Sequence, residues 1–170
     1  MERKTFSLLV ETTPGVLSRV AGLFTRRGFN IDSITAGVTD DPHLTRMTIA
    51  THGEDEVISQ IVKQLAKLEE VIQIRELKPE CSVVRELILV RVNVSEQERA
   101  QVISMAEVFR ARVVDIATDN VIFELTGDSS KIEAFLRLLG PSRIEKVAKT
   151  GVTGLTRGMF GSDEAEIYNR

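Results

Sequence analysis

The sequence is poor in the residues that build disulfide frameworks, aromatic cages and acid–base sites. Its 170 residues include one cysteine, no tryptophan, one tyrosine and two histidines. The single cysteine, Cys81, excludes an internal disulfide framework and is typical of a reducing compartment, so we expect a cytoplasmic protein. The apolar run within MERKTFSLLVE, at the start of the chain, is too short for a signal peptide or a membrane-spanning helix.

The sequence also lacks a recognisable active site. His43 and His52 have no second ligand at metal spacing, and Cys81 has no base that would activate its thiol. Asp40-Asp41-Pro42 is typical of a turn, and no phosphate-binding GxxxxGK[ST] motif occurs. The net charge of −3 is not that of a nucleic-acid-binding domain, which is usually strongly basic. We therefore predict no catalytic residue, no metal site and no nucleic-acid partner.

What the sequence does contain is one pattern of elements that occurs twice. Alternating and 3.6-residue apolar periods predict the order strand, helix, strand, strand, helix, strand in each half. This order predicts an α+β fold of two ferredoxin-like βαββαβ domains in tandem, each with one antiparallel sheet and both helices on one face. We predict a first domain over residues 1–78, a linker over 79–84, a second domain over 85–150 and a flexible tail over 151–170.

The first strand of the second domain departs from the usual alternation. Residues 86–92 are apolar on both faces as far as Arg91, although a sheet with helices on one side should have one polar face. Leu87 and Leu89 therefore need a cover on the open side. Either another protein or the first domain would supply it.

The turn between the first strand and the first helix has the chemistry of an anion site. Thr12-Thr13-Pro14-Gly15 leads directly into the helix, where the first N–H groups have no partner within the helix. The carboxylate of a free amino acid fits such a site, and the amide of Asn30 can accept a hydrogen bond from its ammonium group. A tight connection that binds nothing, with Asn30 as an ordinary turn residue, is the alternative.

A series of short segments carries a further signal along almost the whole chain. They are PGVLSRV at 14–20, GLF at 22–24, RGFNI at 27–31, SIT at 33–35, DDP at 40–42, RMTI at 46–49, QL at 64–65, KL at 67–68, REL at 85–87, LV at 89–90, FR at 109–110, GV at 151–152, GL at 154–155 and RG at 157–158. In this order they strongly resemble the small regulatory subunit of acetolactate synthase (acetohydroxyacid synthase). Residues 161–170 fall outside the resemblance.

The resemblance implies that residues 1–78 form an ACT domain that pairs with a second copy into one continuous sheet. Valine, or a related branched-chain amino acid, would bind between the two copies and inhibit the enzyme by feedback in valine, leucine and isoleucine biosynthesis. The implied effector-binding residues are Thr12, Thr13, Pro14, Gly15, Val16 and Leu17 of one chain and Asn30 and Ile31 of the other.

The resemblance also implies a catalytic subunit as the partner, and the chain would stimulate this transferase without catalysing a reaction itself. Thiamin diphosphate, magnesium and FAD are expected on that subunit and no cofactor on this chain. Leu87 and Leu89 are candidates for the contact with it. A free-standing ACT regulator of another enzyme or of transcription, and an independent enzyme, are the alternative functions.

One residue departs from the family pattern. Many members have Asn where this sequence has Thr12, and a hydroxyl is a shorter and less versatile partner than a carboxamide. One lost hydrogen bond to a charged ligand costs about 1.5–3 kcal/mol, or roughly tenfold or more in affinity. The sequence therefore leaves open the effector's identity and affinity, as well as the stoichiometry with the catalytic subunit.

Overall fold

The computed structural model describes residues 2–158 and 166–170. The chain forms two units, Met1–Val84 together with Val152–Arg170, and Arg85–Gly151. Each unit contains one antiparallel sheet with two helices in βαββαβ order, so the predicted fold class is confirmed. In chain order the elements are β1 Glu2–Glu11, α1 Val16–Arg27, β2 Ser33–Val38, β3 Leu44–Gly53, α2 Asp55–Leu65, β4 Val71–Glu76, β5 Ser82–Asn93, α3 Glu96–Val108, β6 Arg112–Ile116, β7 Asn120–Gly127, α4 Ser129–Leu139, β8 Ile144–Thr156 and β9 Glu166–Asn169.

The sheet of the first unit has the strand order β2-β3-β1-β4-β9. The antiparallel register of β1 and β3 pairs Phe6 with Ile49 and Leu8 with Met47, so these apolar side chains share one face. Helices α1 and α2 cover that face, and the four side chains are at most 1% exposed. This packing holds the apolar side of α1, from Val16 to Phe24, in the core of the first unit.

The sheet of the second unit has the order β6-β7-β5-β8. Its core contains Phe123 and Phe135, whose rings meet edge to face at 6.1 Å between centroids. Helix α3 begins after Ser95, whose hydroxyl caps it by accepting a hydrogen bond from the Glu98 N–H at 3.3 Å. The hydrogen bond from the Ser95 hydroxyl to the Glu98 carboxylate holds the pKa of Glu98 below its usual value.

The structure differs from the predicted domain boundaries at the linker and at the tail. Strand β5 begins at Ser82, inside the predicted linker, and continues without a break into the second sheet. Strand β8 runs to Thr156, and the carbonyl of Val152 accepts a hydrogen bond from the Thr35 hydroxyl at 2.9 Å. The glycines of this segment suggested flexibility, whereas close packing requires one of them: a Cβ on Gly154 would lie 2.8 Å from the Val83 carbonyl oxygen.

The last strand was not predicted from the sequence. Strand β9 pairs with β4 through Gln73 and Asn169 and through Ile74 and Tyr168. Residues 159–165 of the predicted tail lie outside the described residues. Within the described part of the chain, no helix is long and apolar enough to cross a membrane.

Candidate functional site

The turn before α1 is built around a glycine in the left-handed region. Gly15 precedes the helix with φ +80° and ψ 2°, a conformation that glycine adopts without a steric penalty. No side chain caps the helix, and its first turn has no acidic residue. The N–H of Val16 is bonded to the Thr13 carbonyl at 3.2 Å. The next N–H groups of the first turn, those of Leu17 and Ser18, have no carbonyl partner within the helix, which is the usual chemistry of an anion site.

Arg19 adds a cation beside this turn. Its guanidinium donates to the Thr13 hydroxyl at 3.2 Å and to the Pro14 carbonyl at 3.3 Å. The same group forms an ion pair with Glu70 at 2.5 Å. We did not predict Arg19 as a site residue, although it lies one helical turn after Gly15 in the sequence. The pairing with Glu70 depends on the tertiary fold and has no local signal.

The predicted residues of the turn differ in what they can offer a ligand. The side chain of Leu17 is 46% exposed, whereas Val16 is 8% exposed and packs in the core. The Thr12 hydroxyl is 2.9 Å from the Thr45 hydroxyl, and its N–H donates to the His43 carbonyl at 2.7 Å. Val16 therefore contributes backbone to this turn, and the Thr12 hydroxyl already has a partner.

Asn30 and Ile31 lie at the other end of α1. The helix has 12 residues, so it separates them from Gly15 by about 18 Å along its axis. The Asn30 amide donates to Asp32 Oδ1 at 2.9 Å, and Ile31 packs partly against the core. One chain thus does not bring the two predicted halves of the site together. A joint site requires a second copy, and it stays a prediction.

Strand β2, which follows Asn30 and Ile31, is the outermost strand on its side of the described sheet. Its last three residues, Ala36, Gly37 and Val38, are exposed, and Val38 is 60% exposed. An outer strand presents backbone donors and acceptors that can pair with another chain. The opposite side of the sheet is occupied by β9.

The second candidate surface is the open face of the second sheet. Leu89 is 39% exposed and Leu87 is half-buried, while their neighbours Ile88 and Val90 are fully buried. Leu89 pairs with Glu124 across β7, so the leucines share this face with charged residues. It is flanked by the Arg91–Glu145 pair at 3.6 Å and the Arg112–Glu124 pair at 4.0 Å.

Other chemistry is sparse in the described residues. No group of three or more His, Cys, Asp or Glu side chains in this part of the chain is placed to hold a metal ion. Cys81 is 7% exposed, and its thiol lies 3.8 Å from the Lys78 carbonyl oxygen. The thiol is therefore packed against backbone.

The comparisons first define the class of protein. Residues 6–73 match the family described as "AHAS small subunit-like ACT domain", and residues 85–158 match the family described as "Small subunit of acetolactate synthase". The two matches fall on the two βαββαβ units, so the class is that of tandem ferredoxin-like proteins whose first unit is an ACT domain.

Relatives then identify the family. The chain is 52% identical over 153 residues to a probable acetolactate synthase small subunit of Methanothermobacter thermautotrophicus, which covers 89% of this chain and 91% of the relative. It is 44% identical over 157 residues to the acetolactate synthase isozyme 3 small subunit of Salmonella typhimurium, covering 92% and 96%. The crystal structure of the small subunit from Thermotoga maritima superposes with a TM-score of 0.83 at 39% identity, covering 92% and 98%. The chain belongs to the family of acetolactate synthase small subunits.

Proposed function

We propose that this chain is the regulatory subunit of an acetolactate synthase in branched-chain amino-acid biosynthesis. In this role it binds a catalytic subunit, stimulates its activity and makes that activity sensitive to valine or a related amino acid. Thiamin diphosphate, magnesium and FAD belong to the catalytic subunit in this proposal. Family membership across nearly the whole chain supports the assignment.

The observation that carries the effector site is the turn at Gly15. A helix N-terminus with no side-chain cap favours an anion. The adjacent Arg19, whose charge is balanced by Glu70, orders the turn by donating to Thr13 and Pro14. A glycine leaves the approach to these N–H groups open. The carboxylate of valine has the charge and size for this position, and Leu17 offers exposed apolar surface next to it.

The second half of the site comes from another copy in this proposal. Within one chain, α1 separates Asn30 from the Gly15 turn. Edge pairing of the β2 strands of two chains would bring Asn30 of one chain near the Gly15 turn of the other. The ligand then bridges the two copies. Its effect on the enzyme requires different affinities for two arrangements of the dimer.

The open face around Leu87 and Leu89 is the proposed contact with the catalytic subunit. The exposed leucine lies between two ion pairs, a combination of apolar centre and charged rim that suits a protein interface. The first unit is the alternative cover for this face.

The decisive experiment is an acetolactate synthase assay of the catalytic subunit with and without this chain, across valine concentrations. We expect a higher rate with the chain and loss of the added rate as valine increases. A rate that is the same with and without the chain contradicts the proposed function. Stimulation without any response to valine contradicts only the effector, and leucine and isoleucine are then the ligands to titrate.

The variant Gly15→Asp tests the site itself, with Gly15→Asn as its matched control. Both side chains tolerate positive φ better than most, and both meet Arg19 Nη1, which would be 3.2 Å from the new Cβ. Only aspartate places a negative charge at the anion position. We expect calorimetric titration to show a larger loss of valine affinity for Gly15→Asp than for Gly15→Asn. Equal affinities in Gly15→Asp and the wild type would exclude this turn as the carboxylate site.

A further inference from the structure

Asn30 is part of a cluster of three polar side chains at the start of β2. Asp32 accepts a hydrogen bond from the Asn30 amide nitrogen on Oδ1, at 2.9 Å. Its other oxygen, Oδ2, is 2.5 Å from Nδ1 of His52. The carboxylate of Asp32 therefore uses both oxygens, one for the Asn30 amide and one for the imidazole.

This arrangement fixes which way the Asn30 amide faces. An ionised carboxylate only accepts hydrogen bonds, so the group directed at it must be the NH2 end of the amide. The carbonyl oxygen of the same amide then lies on the side away from Asp32. The two ends of an amide have nearly the same shape, so its orientation is assigned here from the hydrogen bond to Asp32.

The backbone around the cluster is held against β3 as well. The Asn30 carbonyl accepts from the buried Thr51 hydroxyl at 2.5 Å, and the Asp32 N–H donates to the Ala50 carbonyl at 2.9 Å. With the contact between His52 and Asp32, three interactions join residues 30–32 to residues 50–52. The amide therefore sits on a constrained segment, although Asn30 itself is exposed.

We propose that Asp32, held in place by His52, is a positioning residue that turns the Asn30 carbonyl oxygen toward the ligand and so selects ligands that carry an ammonium group. This inference rests on the proposed function, because it takes the effector site to include Asn30. An α-amino acid satisfies the oxygen with an N–H donor. The 2-oxo acid with valine's carbon skeleton has an acceptor at that position and leaves the oxygen without a partner.

The variant Asp32→Asn tests the orientation directly. The new carboxamide has the same shape but can also donate, so it allows the Asn30 amide to turn its NH2 end outward. By calorimetric titration of the full chain, we expect valine affinity to fall about tenfold or more. The preference for valine over the 2-oxo acid falls with it. Asp115→Asn, at an exposed position in the second unit, is the control for the loss of one carboxylate. We expect this variant to keep the wild-type preference for valine over the 2-oxo acid.

His52 provides a second, independent pair of variants. His52→Asn keeps an N–H donor at about the position of Nδ1, whereas His52→Leu has none. We expect His52→Asn to retain more of the valine preference than His52→Leu. An unchanged ratio of valine to 2-oxo-acid affinity in both Asp32→Asn and His52→Leu overturns the inference while the proposed function stands. A wild-type chain that binds no branched-chain amino acid overturns both.

Discussion

At the scale of single residues, Thr12 and Arg19 mark the limits of what the sequence reveals about the site. The turn at Gly15 could be predicted, because Pro-Gly before an amphipathic run is a local pattern. Arg19 could not, since its pairing with Glu70 joins residues 51 positions apart in the sequence. The partner of the Thr12 hydroxyl, Thr45, is likewise set by the sheet register and not by neighbours in the chain.

Thr12→Asn introduces the residue that the family resemblance leads us to expect at this position, so it should strengthen the proposed effector site. A carboxamide reaches farther than a hydroxyl and offers both donors and an acceptor to a charged ligand. We expect valine to bind more tightly by about 1.5–3 kcal/mol, measured by calorimetric titration. Thr12→Val, which removes the hydroxyl at nearly constant shape, serves as the control and should not gain affinity. A Thr12→Asn chain with wild-type affinity would show that this position does not contact the ligand.

At the scale of elements, the sequence predicts the helices and the central parts of the strands. It does not predict that β5 begins as early as Ser82 or that β8 extends to Thr156. Helix α1 spans Val16–Arg27, as its apolar period indicates, and ends at Gly28 with φ +69°. The sequence predicts a flexible tail from residue 151, whereas strand β8 continues to Thr156. Its continuation depends on contacts with residues about 70 positions earlier, such as Val83, which no local pattern contains.

Two glycine substitutions compare the crowded end of strand β8 with the open surface of helix α1. Gly154→Ala in β8 would place a Cβ 2.8 Å from the Val83 carbonyl oxygen and 3.0 Å from the Leu77 side chain, so the backbone must shift. We expect a loss of about 1–3 kcal/mol in the free energy of unfolding of the first unit. Gly22→Ala in α1 meets no atom within 4 Å, and helix propensity predicts a gain of about 0.5–1 kcal/mol. Urea denaturation followed by circular dichroism measures both, and a Gly154→Ala chain as stable as the wild type would contradict the crowding.

At the scale of the whole molecule, the two described sheets each have an outer strand with exposed apolar side chains. Val38 on β2 is 60% exposed and Val114 on β6 is 50% exposed. The sequence predicted self-association through the first unit, and the occupied β4 side of that sheet leaves β2 as the pairing edge. Pairing at β2 or at β6 depends on how two chains fit together, so the sequence pattern of one chain does not decide between these edges.

Lysine substitutions at these two valines distinguish the edges. Val38→Lys adds a cation to β2, where the proposed edge pairing would bring two copies of the strand together. We expect it to shift the chain from dimer toward monomer in sedimentation velocity, whereas Val114→Lys remains dimeric. The reverse result assigns the dimer to β6 and removes the basis for a shared effector site.

The division of the chain into units has a consequence for its synthesis. The chain leaves the first unit at Val84 and returns to it at Val152, so the second unit is an insertion in the first. A ribosome releases the chain from its N-terminus, and domains form as their residues emerge. Val152 bonds to the hydroxyls of Ser33 and Thr35, and strand β9 pairs with β4. Both Val152 and β9 are therefore translated only after all of the second unit. The unit that begins first is the one completed last.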